Sequence, residues 1–184
     1  MEDLNLKKNL INFINLKKTI LGVGPMSMNC INAANNISNK HKIPMFLICS
    51  RRQIDSELHG GGYVNNWTTE KLSNYLKSKK NKYLILSRDH GGPWQNNNEI
   101  NQKMNIKQAM KSAKNSFETD ICNDFKVIHI DPSLNIDNQN NLKRAIDNIF
   151  ELYEYCFEIS NKKKKKIIFE IGTEEQTGFS DNFL

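Results

Sequence analysis

The chain has 184 residues, 38% of them apolar and 25% charged, with a formal net charge of +6. That length suffices for one domain with a real core, and the charged fraction is ordinary for a globular protein. No apolar stretch approaches the roughly 18 residues of a membrane-spanning helix, which excludes an integral helical membrane protein.

The first segment, Leu4 to Leu16, is helix-like. Short apolar runs follow at Thr19–Val23, Met45–Cys49, Tyr83–Leu86, Val127–Ile130 and Ile167–Ile171. Such runs, bounded by polar segments, suit strands buried on both faces of a parallel sheet. Between the second and third, Thr68 is placed to N-cap a helix that carries Leu72, Tyr75 and Leu76 at helical spacing. Between the fourth and fifth, Leu142, Ile146, Ile149, Phe150, Tyr153 and Phe157 recur at three- and four-residue steps and share one helix face.

Strand alternating with helix predicts a parallel α/β architecture. An open doubly wound sheet and a TIM (β/α)₈ barrel, or part of one, both satisfy the pattern. In both, ligands sit at the carboxyl ends of the strands, so the residues after each run should be the chemically unusual ones. They are Gly24-Pro25-Met26-Ser27, then Ser50-Arg51-Arg52-Gln53, then Ser87-Arg88-Asp89-His90-Gly91-Gly92-Pro93, then Asp131-Pro132-Ser133, then Gly172-Thr173-Glu174-Glu175.

Asp89-His90 sets a carboxylate beside an imidazole at a strand end. The imidazole can ligate zinc and the carboxylate can move a proton. Successive strand residues point to opposite faces, but Gly91-Gly92-Pro93 permits a turn there. The bland alternative is a capping Asp89 with a hydrogen-bonded His90. His129 lies inside the fourth run and reads equally as a core histidine. Gly60-Gly61-Gly62 reads equally as a backbone cradle for phosphate and as a plain turn.

Four segments together resemble a known family. They are Ser50-Arg51-Arg52-Gln53 with Gly60-Gly61-Gly62-Tyr63, Asp89-His90-Gly91-Gly92-Pro93-Trp94-Gln95, Ile128-His129-Ile130-Asp131-Pro132-Ser133, and Ile171-Gly172-Thr173-Glu174. In order, each at a strand end, they are similar to segments of the tagatose-bisphosphate aldolase accessory-subunit family, related to zinc-dependent class II ketose-bisphosphate aldolases. The resemblance implies a TIM barrel, a sugar-phosphate substrate and zinc. It implies Asp89 and Glu174 as catalytic carboxylates and His90 and Glu170 as metal ligands. It also implies Ser50, Gln53, Gly61 and Asp131 as substrate contacts. Accessory subunits support a catalytic aldolase subunit, so the alternative function is a non-catalytic barrel that binds and stabilises a partner or a second copy, or else a different carbohydrate-processing enzyme on the same fold. A full barrel takes about 250 residues. Residues 1–184 are therefore expected to form a single partial barrel domain of about five strands, aldolase-like and inactive on its own.

Other features read blandly. Cys30, Cys49, Cys122 and Cys156 form no C-x-x-C pair, which argues against a zinc ribbon or redox motif. Met1-Glu2-Asp3-Leu4 is acidic and leads into no continuous apolar segment, unlike a secretory signal. The expectation is a cytoplasmic protein with reduced thiols. The lysine runs at 7–8, 17–18, 77–82 and 162–166 precede apolar segments and read as solvated helix ends and loops, with neither nucleic acid nor membrane as partner.

Overall fold

The computed structural model describes residues 6–134 and 142–172. Among them are five strands: β1 (Leu21–Val23), β2 (Met45–Ser50), β3 (Leu84–Gly91), β4 (Val127–Ile130) and β5 (Ile168–Ile171). Helices α1 (Leu6–Asn15), α2 (Met28–His41), α3 (Thr69–Ser78), α4 (Asn97–Asn101), α5 (Ile106–Cys122) and α6 (Leu142–Lys162) are interleaved with them. Local chemistry sets the helix starts. Thr68 caps α3 by accepting from the Lys71 amide at 3.2 Å, and Ser27 caps α2 in the same way through Cys30. Asn105 and Gln108 form a reciprocal capping box on α5, each supplying an orphan amide of the first turn with an acceptor.

The strands pair parallel in the order β1-β2-β3-β4-β5. The sheet is open, with β1 and β5 as its edges, so the expected TIM barrel is not the architecture. Strand–helix alternation is common to open and closed parallel sheets. Closure is a pairing between the first and last strands, which no local pattern encodes. Because the order advances in one direction, right-handed crossovers carry successive helices to one face. There α2 packs on β2 and β3, α5 on β3, and α6 on β4. Leu47, Cys49, Leu86, Ile128 and Ile130 meet Ile31, Leu72, Phe117, Ile121 and Leu152 in the core between sheet and helices.

Two buried arginines bind the rim loops to this core. Arg88, fully buried, pairs bidentately with Asp120 at 2.7 Å through Nε and Nη2. Its Nη1 donates to the carbonyls of Cys49 and Ile54. Burial opposes the charge, but Asp120 and Asp55 outweigh it and hold the guanidinium pKa above its ordinary value. Arg51 pairs with Asp55 at 3.0 Å and with Glu99 at 2.7 Å, and donates to the Gly92 carbonyl at 2.7 Å. Asp55 also accepts from Asn96 and Ser116. Burial raises its carboxyl pKa, but the charges of Arg51 and Arg88 and the Ser116 hydrogen bond hold it below the usual range.

Helix α6 departs from its sequence pattern. Its buried residues are Leu152, Cys156 and Ser160, whereas Ile146, Phe150 and Phe157 from the apolar stripe are 41%, 60% and 48% exposed. The stripe is wider than one helix–sheet contact, and among the described residues the sheet ends at β5.

Candidate functional site

At the carboxyl ends of β3 and β4, Asp89, His90, His129 and Asp131 converge. In register, Ser50 pairs with Asp89 and His129 pairs with Glu170. Arg88 pairs with Ile128, so Asp89 and His129 follow on the same face, the one opposite the main helices. His90, the next residue, would ordinarily point the other way. The ladder between β3 and β4 is irregular between Arg88 and Gly91, and His90 adopts φ 44°. This bulge-like step re-aims consecutive side chains at one place, a device common beside functional sites.

Gly91 and Gly92 make the approach sterically possible. A Cβ on Gly91 would lie 2.6 Å from the His129 carbonyl oxygen, and one on Gly92 would lie 2.1 Å from that of Asp131. The ends of the two strands therefore close to a distance that no larger residue permits.

His90 Nδ1 lies 2.8 Å from Asp131 Oδ2. Asp131 is wholly buried, and its other oxygen accepts from the Ser133 amide at 3.1 Å. With Nδ1 engaged there, Nε2 of His90 faces Asp89 at 3.8 Å. His129 Nδ1 lies 3.3 Å from the His90 amide and 3.4 Å from Asp89 Oδ1. A neutral ring accepts from that amide through Nδ1; a protonated one donates to Asp89 instead. Burial lowers the His129 pKa, but the Asp89 hydrogen bond and the charges of Glu170 and Asp131 raise it above the usual histidine value. Burial raises the Asp89 carboxyl, but His129 and His90 draw it below the usual range. The carboxylate is therefore ionised at neutral pH.

Asp89, His90 and His129 each offer one ligand atom, and these lie within 4.8 Å of one another. Two imidazoles and a carboxylate, with Asp131 behind one imidazole, match the donor set and supporting shell of a zinc-type cation site.

The other expected site residues are distributed around this centre. Ser50 flanks Asp89, and its amide donates to Gln53 Oε1 at 3.0 Å. Gln53 donates to Met26 Sδ at 3.1 Å, which joins the loops after β1 and β2. Asp131 supports His90. Glu170 is exposed beside His129 and falls outside the three-ligand group. Gly61 lies in the β2–α3 loop, where the amides of Gly60, Gly61 and Gly62 donate to Glu57, Ser56 and Trp67. Those donors serve the loop itself. Glu174 lies outside the described residues. His129 carried no assigned role in the sequence pattern; its place on the Asp89 face depends on register between β3 and β4, which a single sequence does not give.

No protein-family model matches the chain, and no curated protein matches it. Among solved structures, a probable tagatose 6-phosphate kinase from Sinorhizobium meliloti 1021 is similar, with 17% identity and a TM-score of 0.69. The match covers 85% of this chain and 39% of that one, so the chain spans well under half the length of its structural neighbour. At this identity the likeness shows a shared α/β fold alone. It does not establish membership of the aldolase accessory-subunit family. Among the described residues, no helix is long and apolar enough to cross a membrane.

Proposed function

We propose that Asp89, His90 and His129 hold a divalent cation of the zinc class and that this centre acts on a sugar phosphate in aldol-type chemistry. The observation that carries the reading is the convergence of three ligand atoms within 4.8 Å at the carboxyl ends of adjacent parallel strands, where α/β proteins place their ligands. The four-motif resemblance supports the reaction class. The sugar-phosphate name of the structural neighbour supports the substrate class. A cation there would polarise a substrate carbonyl. Asp131 accepts from His90 Nδ1 and presents Nε2 to the centre. The Asp89 oxygen that does not face the cation would accept a proton from substrate carbon or hydroxyl. Ser50, beside it in register, with Gln53 in its turn, contacts substrate hydroxyls.

Metal analysis of the purified protein, followed by zinc titration calorimetry, tests this. The wild type should bind one equivalent. His90→Ala and His129→Ala should each lose more than the roughly 10–100-fold affinity that a merely supporting group commands. Unchanged binding in either variant rejects that ligand. A second reading, a non-catalytic subunit that stabilises a partner, is favoured by the half-buried Phe46, Ile48 and Ile85 on the face opposite the main helices. Lack of stoichiometric zinc in a well-folded preparation would favour it over the first.

A further inference from the structure

All five strands are parallel, so every helix-to-strand connection emerges at the same edge of the sheet, opposite the Asp89 centre. That edge carries the lysine runs. A cavity of about 960 Å³ opens there. Its interior is apolar, lined by Leu10, Phe13, Ile85, Phe157, Ile168 and Phe169. Its border includes Lys42, Lys80, Lys82 and Lys166, and the only carboxylate among its described lining residues is Asp124. Asp124 already bridges Lys77 and Lys165 at 2.8 and 2.6 Å, so it does not offset the others.

Helix α1 stands at this edge. Leu10 and Phe13 enter the cavity, while Ile11, Ile14 and, just beyond the helix, Leu16 are 46%, 71% and 64% exposed. Lys8, Lys17 and Lys18 beside them are exposed. A short helix with apolar side chains turned outward and lysines at its margins has the composition of a helix that lies in a membrane interface.

We propose that this edge of the protein docks on an anionic lipid surface. Ile14 and Leu16 would enter the headgroup boundary, and the lysines of the strand-entry loops would lie against acidic headgroups. Charge complementarity selects an anionic partner. The aliphatic side chains exposed on and just beyond α1, Ile11, Ile14 and Leu16, select an amphiphile, whose headgroup–acyl boundary takes such groups. The parallel sheet then leaves the Asp89–His90–His129 centre facing away from the membrane.

Co-sedimentation of the whole chain with vesicles of phosphatidylcholine, alone or mixed with phosphatidylglycerol, tests the proposal. Binding should require phosphatidylglycerol and weaken with salt. The exposed Lys80→Glu/Lys82→Glu/Lys166→Glu variant should lower the partition coefficient by about a hundredfold, each surface lysine being worth about fivefold. Ile14→Asp should lower it by about tenfold or more, from the loss of one buried aliphatic side chain. An unchanged circular dichroism spectrum establishes that both variants are folded, and His90→Ala should bind vesicles normally. No binding, or equal binding to both vesicle types, overturns the proposal. Binding insensitive to Ile14→Asp and displaced by a single-stranded RNA oligonucleotide also overturns it, in favour of a polyanion surface.

Discussion

Asp131→Asn isolates the support given to His90. Asp131 is fully buried and uses both oxygens as acceptors, one from His90 Nδ1 at 2.8 Å and one from the Ser133 amide at 3.1 Å. Asparagine has nearly the same shape but only one acceptor oxygen. If it faces His90, its amino group confronts the Ser133 amide; if it faces Ser133, the amino group confronts His90 Nδ1–H. Either way one donor meets a donor, and the negative charge behind the imidazole is lost. A supporting carboxylate of this kind is worth about 10–100-fold in metal affinity, or about 1.4–2.8 kcal/mol. The unsatisfied buried donor costs about 1–3 kcal/mol of folding stability besides. Zinc calorimetry and urea denaturation, run on the same preparations, separate the two effects. A variant that is destabilised yet binds zinc like the wild type would refute the positioning role. Unchanged stability as well would refute the geometry.

Arg88→Met strands Asp120 and two carbonyls in the core and should cost about 3–5 kcal/mol, read as a fall in urea midpoint. Adding Asp120→Leu should recover much of it, and failure to recover would mean that the pair is not the source. Gly92→Ala forces a Cβ to within 2.1 Å of the Asp131 carbonyl oxygen. It should cost about 1–3 kcal/mol and weaken zinc binding by displacing Asp131; wild-type calorimetry in both respects would contradict the close approach. The His129 pKa is raised and that of Asp89 lowered. The stabilising contribution of protonated His129 is thus fully present below about pH 6.5 and is lost as pH rises through its raised value. That of ionised Asp89 is present above about pH 3.9 and is lost as pH falls through its lowered value. The stability difference between wild type and Asp89→Asn should therefore peak between about pH 4 and 6.5, and a pH-independent difference would refute the coupling.

The repeating part of the fold was legible because it is local. Each apolar run became a strand at its expected place, and Thr68 capped its helix. Sheet closure was not legible, because it depends on which strands pair at the two edges. The α6 stripe misled for a related reason. Periodicity identifies an apolar face, but only the neighbouring elements decide how much of it is covered, and here Leu152 and Cys156 take the contact that Phe150 and Phe157 do not. Arg51 and Arg88 read as polar rim residues, whereas both are wholly buried. Arg51 has one partner within local reach, Asp55 four residues on, but Glu99 and the Arg88 partner Asp120 lie 48 and 32 residues away, beyond any local pattern.

The centre itself shows where local reading reaches its limit. Asp89 and His90 stood out as adjacent chemical groups, and a regular strand would turn them to opposite faces unless its end departed from regularity. The irregular ladder after Arg88 and the left-handed backbone at His90 supply that departure. The glycines that follow do more than admit the turn at Gly92–Trp94. Their missing side chains let the ends of β3 and β4 close until His90 meets Asp131 and its amide meets His129. A non-glycine residue held at positive φ costs on the order of 1–3 kcal/mol and persists only where its surroundings over-determine it. Asp131 and His129, from the end of β4, and the Arg51 contact to Gly92, from the turn after β2, supply that determination. The strained backbone, the two glycines and the buried carboxylate thus act as one device whose result is a histidine aimed at Asp89. The proposed metal centre makes use of all three.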